Sequence, residues 1–289
     1  MKVGLVGLGR MGGAIVTRLR DLNCEVFGWD IKYDAIEKAA DKGLISVSSP
    51  SEVANMAECI ISIVTNDDDV RSIFQEDNGF LSTSLSEKIF IEMSTCQPAT
   101  CRQIAPLIEA AGASIIDCPV LGSIPQVLKG ELHGLVGGHP TDIQEATPVL
   151  EKLTTSIKHC GKLGNGCAMK LSINMSMLGY MQNIAEALAL GQKQGLDQEQ
   201  ILEVMNVSPI ASRWLEIKTP ILKGEDGPIS LDIQTMRKDL MSAISIGKAT
   251  GIPLPAASGA LTSISSAIEK GWGNLDIAEL PRFFRENIK

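Results

Sequence analysis

Over roughly its first 160 residues the chain alternates short runs that read as strands with amphipathic stretches that read as helices. The runs Val3–Val6, Cys24–Trp29, Cys59–Val64, Lys88–Ile91, Ser114–Ile116, Gly134–Val136 and Ile157–His159 are brief and largely apolar or β-branched. Met11–Leu22 and Asp34–Gly43, between the early runs, space their apolar residues as a helix does. Parallel strands need a crossover to return to the same end of a sheet, and a helix makes that crossover while burying its apolar stripe on the sheet. The first half is therefore predicted to be a doubly wound parallel sheet covered by helices.

The pattern changes after Gly161-Lys-Leu-Gly-Asn-Gly. From there to about Gln194 there is no proline, and the only glycines are Gly179 and Gly191. The stretch predicts a helix of roughly 30 residues, about 45 Å long. Met169, Leu171, Ile173, Met177, Leu178, Met181, Ile184 and Leu188 make it apolar on most faces, so it should be buried on several sides. Gly195 fits a C-cap, and Asp197 with Gln200 fits the capping box of a next helix, stapled by Leu196 and Ile201. Helical segments continue to the end. The reading is an α/β domain over 1–161 and an all-α domain over 162–289, the long helix serving as spine and contact to a second subunit.

A chain of 289 residues with 44% hydrophobic content can fill two cores. Its net charge of −8, without a Lys/Arg run, argues against a nucleic-acid partner but leaves room for a local basic pocket that takes a small anion. No apolar run is long enough to cross a bilayer, and the start of the chain lacks the pattern of a secretory leader. The seven cysteines are odd in number and include no CxxC pair, which points to reduced, buried thiols in a cytoplasmic protein. With only three scattered histidines, no metal site is expected.

The sharpest motif is Gly7-Leu8-Gly9-Arg10-Met11-Gly12, directly after the first strand and opening the first helix. A lone GxGxxG is weak, because glycines are common in turns, but the strand–turn–helix setting fits a dinucleotide loop. Gly7 permits the tight turn, Gly9 lets backbone approach a pyrophosphate, and Gly12 lets helix pack on strand. The helix N-terminus then faces the phosphates. Asp30 ends the second strand, where a carboxylate accepts hydrogen bonds from ribose hydroxyls and repels a 2′-phosphate, so NAD is favoured over NADP. Lys32 works the other way, since a nearby cation tolerates that phosphate.

With these motifs the chain resembles the β-hydroxyacid dehydrogenase family, the 3-hydroxyisobutyrate dehydrogenase-like enzymes, and within it the glyoxylate/succinic semialdehyde reductase branch. The resemblance runs from the glycine loop to the last helices. Its most specific segment is Gly164-Asn-Gly-Cys-Ala-Met-Lys170-Leu-Ser-Ile-Asn174. It implies a Rossmann-type NAD(P)-binding domain, an all-α substrate and dimerisation domain, and hydride transfer between a nicotinamide and a small anionic hydroxy acid or semialdehyde. It further implies Lys170 as general acid/base and Asn174 as a substrate-orienting amide. Spacing alone leaves Lys170 equally open to being a lysine that snorkels from the helix start. The resemblance also places Val64, Thr65, Thr95 and Lys238 at the cofactor, and Asp239 in support of the site. By themselves Lys238 and Asp239 read as a solvated helix face.

Asp30 departs from the branch, which often carries a neutral residue plus arginine there and uses NADPH, and two pocket positions depart as well. Leu121, in Asp117-Cys-Pro-Val-Leu-Gly-Ser, stands where the family usually has a serine that binds the substrate carboxylate, leaving the backbone N–H groups of Gly122 and Ser123 to hold an anion. Leu231 stands where the branch has phenylalanine. Both alter the pocket wall, so the resemblance does not fix the substrate. Competing readings are an imine reductase, which would usually lack the lysine, and a catalytically silent nucleotide-binding protein of the same fold. A homodimer or homotetramer is expected.

Overall fold

A computed structural model describes residues 1–287 and divides the chain into two compact units, Met1–Leu171 and the remainder from Ser172. The first unit runs β1 (Lys2–Val6), α1 (Arg10–Asp21), β2 (Glu25–Trp29), α2 (Tyr33–Ala40), β3 (Ile45–Ser46), α3 (Pro50–Met56), β4 (Cys59–Ser62) and α4 (Asp67–Gln75). It continues with β5 (Ile89–Glu92), α5 (Pro98–Ala110), β6 (Ser114–Asp117), β7 (Val120–Leu121), α6 (Ile124–Lys129), β8 (Leu132–Gly137), α7 (Pro140–Leu153) and β9 (Thr154–Gly161). The strands form one sheet in the order β3-β2-β1-β4-β5-β6-β8-β7, with β9 paired to β8. From β3 to β6 every pairing is parallel, whereas β8 pairs antiparallel with β6 and β7.

Neighbouring residues on one strand serve opposite faces of this sheet. Ile61, Ile91 and Ile116 join a core with α1 and α7, while Ile60, Phe90 and Ile115 join a core with α3, α4 and α5. In the second core Phe74, Phe80 and Phe90 pack with their rings inclined 58–63° to one another and ring centroids 4.9–5.3 Å apart. Because the central strands are covered on both faces, their sequences are continuously apolar rather than alternating. The strand order reverses between β1 and β4, which opens a crevice beyond their carboxyl ends.

The two short strands missing from the sequence reading, β3 and β7, have only two residues each, too few to show a period. β7 forms the expected substrate loop and pairs Leu121 with His133.

The second unit is helical. The spine helix α8 (Asn165–Lys193) begins in the first unit and runs on into the second. It is followed by α9 (Gln198–Val207), α10 (Arg213–Leu222), α11 (Ile233–Thr250), α12 (Pro255–Glu269) and α13 (Leu280–Asn287). The predicted all-α half and its helix of about thirty residues are thus present. Leu178, Met181, Ile184 and Leu188 of α8 join Leu202, Leu215, Met236, Leu240, Ile264 and Phe284 in one core. Asp197 caps α9 by accepting the N–H groups of Glu199 and Gln200. Among the described residues no helix is long and apolar enough to cross a membrane.

Candidate active site

The glycine loop has the shape its spacing predicts. Gly7 adopts φ +94°, and a Cβ there would lie 2.1 Å from the Ile63 carbonyl oxygen. A Cβ on Gly12 would lie 2.0 Å from the Gly7 carbonyl oxygen. Chain geometry alone therefore demands these two glycines. Gly9 is different, because a Cβ there would meet nothing within 4 Å. The open space at Gly9 leaves room for a pyrophosphate to approach the backbone over the N-terminus of α1. Leu8 is buried, Arg10 is exposed and Met11 packs against the sheet core.

Asp30 ties β2 to this loop. Its carboxylate accepts the Leu8 N–H at 2.6 Å and the Lys32 N–H at 2.8 Å, and the Gly7 N–H donates to the Trp29 carbonyl. Beside it lies a cavity of about 860 Å³, lined by Leu8, Gly9, Arg10, Lys32, Lys38 and Lys42 among others. Four cations against the single carboxylate Asp34 make the cavity suited to a polyphosphate.

At the carboxyl ends of the central strands, Ser62, Glu92 and Asp117 stand in register on β4, β5 and β6, all fully buried. Glu92 accepts hydrogen bonds from the Ser62 hydroxyl at 2.6 Å and the Ser94 N–H at 2.8 Å. The Ser94 hydroxyl in turn accepts the Val64 N–H. One buried carboxyl group therefore fixes both loops that carry the expected cofactor residues, Val64 and Thr65 on one, Thr95 on the other. Burial, assisted by the neighbouring Cys96, pushes the Glu92 carboxyl up to about 8, so it holds a proton at neutral pH.

Asp117 performs a second anchoring. Its two oxygens accept the N–H of Gly164 at 2.6 Å and of Cys167 at 2.7 Å, where α8 begins. Burial raises its carboxyl to about 6, against the lowering effect of those N–H groups. One turn beyond, the Lys170 ammonium donates to the Val120 carbonyl at 2.8 Å. The lysine is half-buried and turned toward β7, so this structure does not show it snorkelling away from the strands.

The substrate loop differs from expectation in one respect. Ser123 caps α6, and both its N–H and its hydroxyl bond the Gln126 side chain. That N–H, expected to hold an anion, is already engaged, so an anion bound there must displace Gln126. Gly122 is exposed at φ +135°, and Leu121 is half-buried.

In the second unit the buried Asn174 donates its side-chain N–H to Asp239 Oδ2 at 2.6 Å. The Lys238 ammonium lies 2.9 Å from Asp239 Oδ1. Asp239 is 2% exposed, which overturns the solvated-face reading of this residue. Leu231 packs against the core of the second unit, and its N–H reaches Asp276, the partner of the buried Lys218. Sequence reasoning assigned no role to Ser62, Ser94, Glu92 or Asp117. The available signal was the placement of acids at the ends of buried strands, where an unpaired carboxylate is costly.

Comparison with known proteins agrees with this construction. Residues 2–161 match the NAD binding domain of 6-phosphogluconate dehydrogenase, and residues 164–284 match the NAD-binding region of NADP-dependent 3-hydroxyisobutyrate dehydrogenase. A probable mitochondrial 3-hydroxyisobutyrate dehydrogenase of Dictyostelium discoideum is 29% identical over 99% of this chain and 92% of its own. Glyoxylate/succinic semialdehyde reductase 1 of Arabidopsis thaliana is 27% identical over 99% and 100%. The solved 3-hydroxyisobutyrate dehydrogenase of Mycobacterium tuberculosis, studied with L-serine, superposes with a TM-score of 0.87 at 26% identity, covering 98% of this chain and 99% of its own. A glycine loop at the switch point of a parallel sheet, followed by this helical half, defines a nicotinamide-dependent oxidoreductase. The chain belongs to the β-hydroxyacid dehydrogenase family, that of 3-hydroxyisobutyrate dehydrogenases and semialdehyde reductases.

Proposed function

We propose that the chain transfers hydride between NAD and a small acid-bearing alcohol or aldehyde, with Lys170 moving the accompanying proton. The observation that carries this reading is the Lys170 ammonium, held by the Val120 carbonyl beside Leu121–Ser123. The nicotinamide supplies or accepts the hydride. An ammonium next to the substrate oxygen gives up a proton as a carbonyl is reduced, and the neutral amine takes it back in the reverse direction. We assign Asn174, whose amide is held by Asp239, to orienting the substrate, as the family resemblance implies.

Asp30 favours NADH, while Arg10 and Lys32 leave NADPH a weaker route. Leu121 favours an acid with a larger or more apolar body than glyoxylate, because it offers no hydroxyl and adds apolar surface. The protein works in the cytoplasm as a homodimer or a dimer of dimers. Support for assembly is the apolar surface of the second unit, where Leu190, Val204, Val207 and Ile217 are 59–86% exposed.

The test is a screen of hydroxy acids and semialdehydes with both cofactors, read at the absorbance of the reduced nicotinamide. Turnover of an acid-bearing substrate, with higher kcat/KM for NADH, is expected. Imine reductases share the fold, so cyclic imines belong in the same screen. Turnover of imines alone would replace the reading, and activity confined to NADPH would overturn the role of Asp30.

A further inference from the structure

Two cysteines five residues apart, Cys96 and Cys101, meet a distant third, Cys167, inside the first unit. Cys96 lies in the loop after β5, Cys101 in α5 and Cys167 in the first turn of α8. Their sulfurs stand 3.6, 3.6 and 3.9 Å apart, and all three residues are 0% exposed. Within this group any two sulfurs lie inside 4.8 Å, close enough for one ion. None is in a disulfide.

We propose that this cluster is a three-thiolate site for a thiophilic divalent cation of the zinc class. The geometry is the first argument. Zinc–sulfur bonds are about 2.3 Å, which puts the sulfurs of a tetrahedral centre about 3.8 Å apart and those of a trigonal one about 4.0 Å apart. The observed triangle needs to open by only a few tenths of an ångström. Its sulfurs lie about 2.1 Å from their common centre, so a cation with normal bonds sits just out of their plane.

Charge is the second argument. Three thiolates and a divalent cation leave one net negative charge, where a monovalent cation would leave two. Cys167 is the third residue of α8 and Cys101 the fourth of α5, so two of the ligands lie in first helical turns, whose positive ends stabilise the remaining charge. Loading three buried thiols must release protons, as metal binding to cysteines does. Position gives the site its consequence. Cys96 follows Thr95, and Cys167 precedes Lys170 by nearly one turn of the same helix. A bound cation would cross-link the Thr95 loop to the start of the lysine-bearing helix.

Because the sulfurs are buried, the protein should be produced in zinc-supplemented cells and purified under reducing conditions without chelators. Elemental analysis should then find about one zinc per chain. Cys101→Ala and Cys167→Ala should each lower that at least fivefold, while Cys160→Ala, outside the cluster, should leave it unchanged. Circular dichroism checks that each variant is folded. Should the cluster variants fail to fold, X-ray absorption on the zinc-loaded native protein decides, with three sulfur neighbours expected around zinc. A native protein with less than about a tenth of an equivalent overturns the proposal. So do retention unaltered by both cluster variants, a zinc shell of nitrogen and oxygen only, and a mass two protons lighter that reveals a disulfide among these cysteines.

Discussion

Each unit holds one nearly inaccessible aspartate of the motif segments, and the two are held in opposite ways. Asp117, in the first unit, is gripped by backbone, through the N–H groups of Gly164 and Cys167. Asp239, in the second, is gripped by side chains, the Asn174 amide and the Lys238 ammonium. A backbone-bound carboxylate fixes the path of the chain, here the start of the helix that carries Lys170. A side-chain-bound one fixes a rotamer, here the direction of the Asn174 amide. The first should matter to stability and activity together, the second chiefly to activity.

The largest effect sets the scale for the first arm. Lys170→Ala should lower kcat by roughly 10²–10⁴-fold, the usual contribution of a positioned proton donor, with cofactor affinity nearly unchanged. Stopped-flow turnover and cofactor titration measure both, and near-normal turnover would leave the Asp117 anchor with nothing catalytic to aim.

A pH effect comes next, from the other anchoring carboxyl. Folding raises Glu92 from 4.5 to about 8, so the folded chain keeps a proton that the unfolded chain releases between those values. Stability should therefore fall as pH rises through that window, by at most about 1.4 kcal/mol per pH unit, and level off above it. Asp117 acts in the same direction but only up to about 6, so urea melts between about pH 6 and 8 isolate Glu92. Glu92→Gln, which keeps an acceptor for the Ser94 N–H, should flatten the slope; an unaltered slope would place its source elsewhere.

Asp117→Ala and Asp239→Ala then test the contrast directly. Asp117→Ala orphans two backbone N–H groups at about 1–3 kcal/mol each, less the relieved cost of a buried charge, so a net loss of about 2–4 kcal/mol is expected with reduced kcat. Asp239→Ala should cost about 1–2 kcal/mol in stability while lowering kcat/KM roughly tenfold or more. Equal stability losses with equal activity losses would dissolve the distinction. The smallest effect belongs to Leu121→Ser, which restores a hydroxyl where a bond to a carboxylate contributes about 1.5–3 kcal/mol. It should improve small acids over bulky ones in paired kcat/KM measurements, and an unchanged ratio would remove Leu121 from the pocket wall.

The same contrast separates what was legible in the sequence from what was not. Local pattern sufficed where the determinant is local. The run of β1 into Gly7–Gly12 and the proline-free stretch of α8 announced themselves because period and turn chemistry lie within a few residues. Asp117 and Glu92 did not, since their partners are N–H groups and hydroxyls brought by other elements, and a strand-ending acid looks alike in either role. β7 escaped because two residues carry no alternation. The cysteine cluster escaped because Cys96 and Cys167 are 71 residues apart, so no spacing rule spans them.

The bond from the Gly7 N–H to the Trp29 carbonyl also gives the protein a built-in optical reporter. The chain has three tryptophans, and Trp29 is the one fixed to the dinucleotide loop; Trp214 and Trp272 belong to the second unit. Replacing those two with phenylalanine leaves a single emitter whose fluorescence reads ordering of the loop, without a label and without turnover. Its quenching by oxidised cofactor, and its energy transfer to the reduced ring, would time the binding step separately from the chemistry.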